Sequence, residues 1–283
     1  MRSHRRAGRG EEGGRAARAR PRHAGGRADL GGRPRPAQGG DPALLPEGAG
    51  EVTDEAGVLL YTYRGCVFRV PDDVQPPKAG SLLFCRHLTV RPGERVLEIG
   101  AGLGLAAVLA ARAGARVVAT DVLPAAVATI RANAALNGVT IDARLGDCYA
   151  PVTGERFDLV CSNPPQMPTP PGRERTDAAA AADNGGRDGW EMLDRVIAGA
   201  PAHLAAGGRL VFTIFAFLGC KAAFAKCEAA GLAPRVVGSE VQSFPRIGYE
   251  RLDYLRTVDP EATLPRAGQP ERVERFVIEG RLA

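Results

Sequence analysis

The sequence has few lysines, no long apolar run and no signal for export. Only three of its 37 basic residues are lysines, a bias that we attribute to a GC-rich genome. No uninterrupted apolar stretch reaches the roughly 18 residues of a membrane-spanning helix, so we expect no membrane association. The N-terminus lacks the apolar central region of a secretory signal, which favours a cytoplasmic protein.

Paired cysteine motifs are also missing. The six cysteines are scattered along the chain, none belongs to a C-x-x-C pair, and no histidine lies at ligand spacing. Neither zinc nor another metal is therefore expected. Disulfide frameworks are typical of much smaller secreted chains. We expect buried, reduced thiols.

Positive charge is concentrated at one end of the chain. The formal net charge is +5, but residues 1–50 alone hold 11 arginines against 5 acids, while the remainder holds 26 basic and 27 acidic residues. Nucleic-acid binding usually needs a basic footprint, and only the N-terminal end offers one. DNA or RNA is therefore a less favoured partner of the folded part.

Residues 1–48 differ in amino-acid composition from the rest of the chain. They are rich in arginine, glycine, alanine and proline, with too little apolar surface to offset the entropy of ordering. We predict a disordered tail, which is either an arm for a partner or a dispensable extension. Residues 49–90 are predicted to form a hairpin and a helix that pack on the core. The hairpin strands are 58–61 and 66–70, and the helix, capped by Ser81, spans 81–88.

Residues 91–260 alternate between short apolar strands and helices, and residues 261–283 are taken as a C-terminal extension. Such alternation predicts a parallel sheet covered on both faces. We predict an α/β, Rossmann-like fold with a mostly parallel sheet of about seven strands and an antiparallel last strand. The predicted strands are 95–99, 115–120, 140–145, 157–161, 209–214, 235–237 and 252–257, and the predicted helices are 103–112, 124–136, 190–204 and 221–230.

A glycine-rich turn follows the first strand of this alternation. The sequence E-I-G-A-G-L-G runs from Glu98 to Gly104, and its glycines are Gly100, Gly102 and Gly104. Ligands of open α/β sheets bind at the carboxyl ends of the strands, and glycines there let a ligand approach the backbone. The spacing differs from the G-x-G-x-x-G of dinucleotide sites. It resembles motif I of class I S-adenosylmethionine-dependent methyltransferases.

An acidic residue ends the second strand. Asp121 follows Gly100 by 21 residues, and a carboxylate there can accept hydrogen bonds from ribose hydroxyls. A nicotinamide cofactor would be held in the same way, so Asp121 indicates a nucleoside without choosing between cofactors. Val122, the next residue, is included in the predicted cofactor site.

The most informative turn is S-N-P-P-Q, from Ser162 to Gln166, after the fourth strand. Two prolines fix two φ angles and remove two N–H donors, which leaves the Pro164 carbonyl free and rigidly aimed. The side-chain oxygen of Asn163 is a second acceptor. Two acceptors that face one NH₂ group can hold both hydrogens and direct the nitrogen lone pair at a methyl donor. We predict N-methylation, with Asn163, Pro164, Pro165 and Gln166 as catalytic residues.

The region from about residue 76 to 258 resembles the HemK/PrmC type of class I methyltransferases, which N-methylate a glutamine amide in translation release factors. Its stretch N-P-P-Q-M-P-T-P-P, which begins at Asn163, is similar to the family's N-P-P-Y-x-x-T-P-P. A family-like G-G-R-x-G begins at Gly185, and G-x-E-x-L begins at Gly248.

The resemblance implies S-adenosylmethionine as cofactor and assigns further residues to its site. Asp147 would meet the adenine amino group, and Cys148 would lie near the ring. Glu98 would reach the ammonium of the methionine end. Asn163, at the end of its strand, would border the cofactor as well.

Gln166 departs from the family, which usually has an aromatic residue there. Glutamine has no π face to stack on a flat target but offers hydrogen bonds, so a protein side chain or small molecule is the favoured acceptor. An exocyclic amine of RNA or DNA is the alternative, and a cofactor-binding module without catalysis is a third hypothesis. The insertion at 169–188 either lines the acceptor entrance or is a solvated loop.

Overall fold

The structure, a computed structural model, describes residues 49–53, 59–176 and 182–282. The predicted tail at 1–48 lies outside the described residues. The strands are β1 (Ala49–Thr53), β2 (Leu59–Tyr63), β3 (Cys66–Val70), β4 (Arg95–Ile99), β5 (Arg116–Asp121), β6 (Ile141–Leu145), β7 (Phe157–Ser162), β8 (Leu204–Phe215), β9 (Leu232–Ser243) and β10 (Arg272–Leu282). The α-helices are α1 (Ala79–His87), α2 (Leu105–Arg112), α3 (Pro124–Leu136), α4 (Glu191–His203), α5 (Cys220–Ala229), α6 (Arg246–Glu250) and α7 (Leu252–Val258).

Seven strands form one mostly parallel sheet, which confirms the predicted fold class. Their order is β6-β5-β4-β7-β8-β10-β9. Strand β10 runs antiparallel to both of its neighbours, whereas the five strands from β6 to β8 pair in parallel. Helices cover both faces, because α1 to α3 pack in one hydrophobic cluster and α4 and α5 in the other. The carboxyl ends of β4, β5 and β7 meet at one edge, which brings the predicted site segments together.

The last third of the chain differs from the prediction. Residues 252–257, predicted as a strand, lie in helix α7, where Leu252 and Leu255 are buried at helical spacing. The final strand is β10, so the sheet continues through the stretch 261–283 that was predicted to be an extension. Glu279 interrupts the apolar pattern of β10 in the sequence. In the structure it is buried and forms ion pairs with Arg235 and Arg281.

Several smaller differences concern the ends of elements and one added strand. Helix α1 begins at Ala79, so Ser81 lies inside the helix and does not cap it. Strand β8 begins at Leu204 and therefore includes the glycines that were expected to precede it. Strand β1 was not predicted, and it extends the hairpin of β2 and β3 to a three-stranded sheet. Helix α3 and strand β4 have the predicted bounds.

Two asparagines attach the small sheet to the core: Asn133 in α3 and Asn137 directly after it. Asn137 accepts a hydrogen bond from the Val67 amide at 2.9 Å and donates to its carbonyl at 2.7 Å. Asn133 makes the same pair of bonds with Arg69, at 2.8 and 3.1 Å, and also donates to the Leu103 carbonyl at 3.0 Å. Their side-chain amides therefore take the place of a neighbouring strand along β3, beside the glycine turn.

Replacing Asn133 by alanine is expected to lower the free energy of unfolding by about 2 kcal/mol, because it leaves the buried Leu103 carbonyl and the part-buried backbone groups of Arg69 without this partner. Urea denaturation followed by circular dichroism measures the loss. The control is Leu136→Ala on the same helix, where half of the side chain is exposed and we expect less than about 0.5 kcal/mol. Equal losses in the two variants would contradict this role for Asn133.

Candidate active site

The three predicted glycines lie in a left-handed turn between β4 and α2. Gly100, Gly102 and Gly104 have φ angles of 67°, 53° and 80°, which side chains adopt only with strain. A Cβ atom at Gly104 would lie 3.3 Å from Ile130, so this glycine allows α2 and α3 to pack closely. A Cβ atom at Gly100 or Gly102 would meet nothing within 4 Å. The first two glycines therefore border open space at the edge of the sheet.

Asp121 holds this turn in place from the end of β5. One of its carboxylate oxygens, Oδ2, accepts a hydrogen bond from the Gly102 amide at 2.8 Å, and Oδ1 accepts one from the Leu123 amide at 3.0 Å. Asp121 is buried, whereas Val122 beside it is 60% exposed. Each carboxylate oxygen keeps lone pairs for a ligand. The structure thus gives Asp121 a loop-ordering role that sequence reasoning did not predict.

Glu98 is a buried carboxyl group with an unused oxygen. It is 5% exposed, and its Oε2 has no hydrogen-bond partner among the described residues. Burial raises the pKa of Glu98 to about 8, with an opposing contribution from the Ala107 amide and a smaller raising one from Asp121. An isolated buried acid is costly to ionise. A cation beside Oε2 would offset this cost and favour the charged form of Glu98.

Asp147 and Cys148 follow β6 at the same edge. Asp147 forms a 2.7 Å ion pair with Arg195 of α4, and both side chains are about half exposed. Cys148 has a φ of 50°, and its carbonyl accepts a hydrogen bond from Thr120 at 3.3 Å. The predicted adenine-binding acid is therefore not free in this structure, because Arg195 already binds one of its oxygens.

The Asn-Pro-Pro turn begins where β7 ends. The Ser162 hydroxyl donates to the Ile99 carbonyl at 2.8 Å and ties the end of β7 to β4. Asn163 Oδ1 accepts a hydrogen bond from Thr213 at 2.6 Å, and its Nδ2 donates to Ser81 at 3.4 Å. In the part of the chain that the structure describes, no group donates to the Pro164 carbonyl oxygen. Asn163 is half-buried and Pro164 is buried, and Asn163 Oδ1 and the Pro164 carbonyl are the two candidate oxygen acceptors of this turn.

Gln166 does not face the ligand space, contrary to the sequence-based expectation. It is 4% exposed. Its Nε2 donates to Thr213 at 2.8 Å, and its Oε1 accepts a hydrogen bond from the Phe215 amide at 3.2 Å. Both ends of the side-chain amide are thus bound to β8. Because the side chain is buried and both ends of its amide already have partners, we do not expect Gln166 to contact the methyl acceptor.

The insertion after the turn packs closely on it. A Cβ atom at Gly185 would lie 2.5 Å from the Gln166 carbonyl carbon, and one at Gly189 would lie 2.5 Å from its oxygen. The buried Arg251 donates to Thr169 Oγ1 at 2.9 Å and to the Asp183 carbonyl at 3.0 Å. These contacts explain why the G-G-R-x-G stretch contains glycines. Thr169, Asp183 and Gly185 of the insertion therefore lie against the turn or against Arg251, whereas residues 171–176 are exposed.

Sequence reasoning missed four residues that shape this site: Ser81, Arg195, Thr213 and Arg251. Thr213 carried the clearest signal, as a hydroxyl in the apolar strand after the Asn-Pro-Pro turn. The other three come from distant segments, so their contacts depend on the tertiary fold.

In the described residues no group of three or more histidine, cysteine, aspartate or glutamate side chains could hold a metal ion. No helix in these ranges is long and apolar enough to cross a membrane.

The strand order, the glycine turn and the Asn-Pro-Pro turn together define a class I methyltransferase. Comparison with known proteins agrees, because residues 76–179 match the family model of the methyltransferase small domain. The chain is 35% identical over 151 residues to a putative protein N5-glutamine methyltransferase of Methanocaldococcus jannaschii, covering 53% of this chain and 76% of that protein. It is 37% identical over 194 residues to the release factor glutamine methyltransferase of Cereibacter sphaeroides, covering 65% and 69%. The chain belongs to the HemK/PrmC type of class I methyltransferases.

A solved structure supports the same fold. A methyltransferase from Pyrococcus furiosus aligns with a TM-score of 0.53 over 77% of this chain and 89% of that chain. Its sequence identity is 18%, so the likeness concerns the arrangement of strands and helices alone.

Proposed function

We propose that this chain transfers a methyl group from S-adenosylmethionine to the side-chain amide nitrogen of a protein glutamine. The observation that carries the proposal is the pair of oxygen acceptors at the end of β7, Asn163 Oδ1 and the Pro164 carbonyl. An amide NH₂ group has two hydrogens to match them. The names of the two relatives support a protein glutamine as the group that carries this nitrogen.

The residues at the sheet edge fit S-adenosylmethionine. The unpartnered Glu98 Oε2 suits the ammonium of the methionine end, because it is a buried acceptor that needs a cation. Gly100 and Gly102 leave space that any side chain would fill. The remaining lone pairs of Asp121 suit the ribose hydroxyls, and the exposed Val122 suits one face of the adenine ring. Asp147 and Cys148, which follow β6, would border the other end of the ring.

The chain's own part in the reaction is orientation. When bound, S-adenosylmethionine supplies its methyl group from a sulfonium and leaves as a thioether, while the acceptor nitrogen gives one proton to water. Asn163 and Pro164 accept the two N–H hydrogens and aim the nitrogen lone pair, and such positioning is worth several kcal/mol, up to roughly 7–11 in ideal cases. The two oxygens also stabilise the positive charge that develops on nitrogen.

Labelled cofactor tests the class of acceptor. The full chain is incubated with methyl-tritiated S-adenosylmethionine and an extract, and the label is separated into protein, RNA and small-molecule fractions. We expect label in protein. Label in RNA would favour exocyclic amines of bases instead, and absence of cofactor binding in calorimetry would refute every methyltransferase interpretation.

The raised pKa of Glu98 predicts how the stability of the cofactor-free protein changes with pH. An unfolded glutamate loses its proton near pH 4.3, whereas folded Glu98 keeps it up to about pH 8. The native state therefore binds more protons in this window, and the free energy of unfolding falls as pH rises. The Glu98→Gln variant has no titrating group at this position, so its stability does not fall in this way. The melting temperature of the variant minus that of the wild type should therefore increase from pH 5 to pH 8.

Calorimetry completes the Glu98 test. The same Glu98→Gln variant should bind S-adenosylmethionine at least about 10-fold more weakly, because it loses a buried charge partner of the ammonium. A melting-temperature difference that is constant across pH would show that Glu98 is not the titrating group. Unchanged cofactor affinity would remove it from the cofactor site.

A further inference from the structure

A chain of hydrogen bonds crosses the site behind the Asn-Pro-Pro turn. The Gln166 amide donates to the Thr213 hydroxyl at 2.8 Å, and that hydroxyl donates to Asn163 Oδ1 at 2.6 Å. Asn163 Nδ2 then donates to Ser81 at 3.4 Å. Gln166 and Thr213 are 4% and 0% exposed, so water does not offer them alternative partners.

The direction of these bonds is fixed at the Gln166 end. The Phe215 backbone N–H can only donate, and it donates to Gln166 Oε1 at 3.2 Å. The Gln166 amide is thereby oriented with its NH₂ group toward Thr213. The Thr213 hydroxyl accepts this hydrogen bond and so turns its own proton toward Asn163. A buried hydroxyl proton needs an acceptor, and Asn163 provides one only when Oδ1 faces Thr213.

We propose that Gln166 and Thr213 are positioning residues that set the orientation of the Asn163 amide. Oδ1 holds the Thr213 proton with one lone pair and presents the other to the acceptor nitrogen. The inference rests on the proposed function, since it explains how Asn163 meets an NH₂ group. A reversed Asn163 would present N–H donors to a donor and would bind no amide nitrogen.

The inference assigns a role to the residue that departs from the family pattern. Gln166 acts through Thr213 and not by touching the acceptor. Simple filling of the core would need only the volume of residue 166, whereas the positioning role needs a donor there and a hydroxyl at 213. The two roles therefore predict different outcomes for substitutions of similar volume.

Four full-length variants separate these roles: Thr213→Val, Thr213→Ser, Gln166→Met and the double variant Gln166→Met/Thr213→Val. Thr213→Val should lower kcat about 10-fold or more, with affinity for S-adenosylmethionine unchanged, because Asn163 loses its orienting donor. Thr213→Ser keeps the hydroxyl and should stay within about threefold of wild type. Gln166→Met should resemble Thr213→Val, and the double variant should be no slower than the slower single variant, because both act through one hydroxyl.

A spectroscopic readout does not depend on the acceptor. With ¹⁵N-labelled asparagine, the side-chain amide signals of Asn163, identified by their loss in Asn163→Ala, report its orientation. We expect one sharp pair in wild type and Thr213→Ser, and shifted, doubled or exchange-broadened signals in Thr213→Val and Gln166→Met. Signals in Thr213→Val identical to wild type would overturn the inference, as would equal kcat in Thr213→Val and Thr213→Ser.

Failure of the proposed function gives a different pattern. If the wild type methylates no protein glutamine, the kinetic comparison lacks an acceptor, but the Asn163 signals still decide whether Thr213 and Gln166 orient this side chain. If the wild type is active and the Asn163 signals do not respond to Thr213→Val, the proposed function stands and the positioning role is refuted.

Discussion

Asn163→Ala is expected to lower kcat at least about 100-fold while leaving the affinity for S-adenosylmethionine within about twofold. The variant removes one of the two oxygens that hold the amide NH₂ group, and loss of one such preorganised group typically costs about 10²–10³ in rate. The affinity should change little because Glu98, Asp121 and the glycine turn are untouched. Single-turnover kinetics with a protein acceptor gives kcat, and calorimetry gives the cofactor affinity.

Asn137→Ala is the matched control for this variant. Asn137 is also an asparagine hydrogen-bonded at the end of a regular element, but it binds the Val67 backbone in the small sheet. Its loss should affect stability and leave kcat unchanged. An Asn163→Ala protein that turns over as fast as wild type would contradict the two-acceptor account.

Gly102→Val should weaken S-adenosylmethionine binding by about 5- to 150-fold, because overpacking a filled site costs about 1–3 kcal/mol. The added side chain would enter the open space beside the glycine turn, where a Cβ atom now meets nothing within 4 Å. It would also disturb the amide that donates to Asp121 at 2.8 Å. Calorimetry on the folded variant measures the loss.

Backbone strain alone must be separated from this effect. Gly65, in the turn between β2 and β3, has a φ of 72°, and a Cβ atom there also meets nothing within 4 Å. Gly65→Val therefore carries a similar conformational cost, about 1–2 kcal/mol, away from the predicted cofactor site. Equal cofactor affinity in the two variants would show that the open space at Gly102 is not where the cofactor lies.

Local patterns were sufficient to predict most of the sheet. Strand β4 has the predicted ends because a short apolar run stops at Gly100, and helix α3 has them because it starts at a proline and is followed by Asn-Gly. Strand β10 was missed because its buried Glu279 is neutralised by arginines from β9 and β10. A charged residue in a strand interior resembles a surface position until its partners are known.

The candidate site shows the same limit. The glycine turn and Asn163 were predictable because short motifs fix their backbone. Gln166 was expected to meet the acceptor, but its side chain is bound to β8, and only the fold reveals that Thr213 lies within 2.8 Å of it. Contacts between side chains from distant segments depend on packing, which a single sequence does not specify.

Mass spectrometry of an acceptor protein tests the central claim most directly. A purified, unmethylated release factor is incubated with the full chain and trideuteromethyl-labelled S-adenosylmethionine, with Asn163→Ala in parallel, and its peptides are sequenced by fragmentation. The account predicts one trideuteromethyl group on a glutamine side-chain nitrogen in the wild-type reaction and almost none with Asn163→Ala. Label on oxygen, sulfur or carbon, or equal labelling by both proteins, would contradict it.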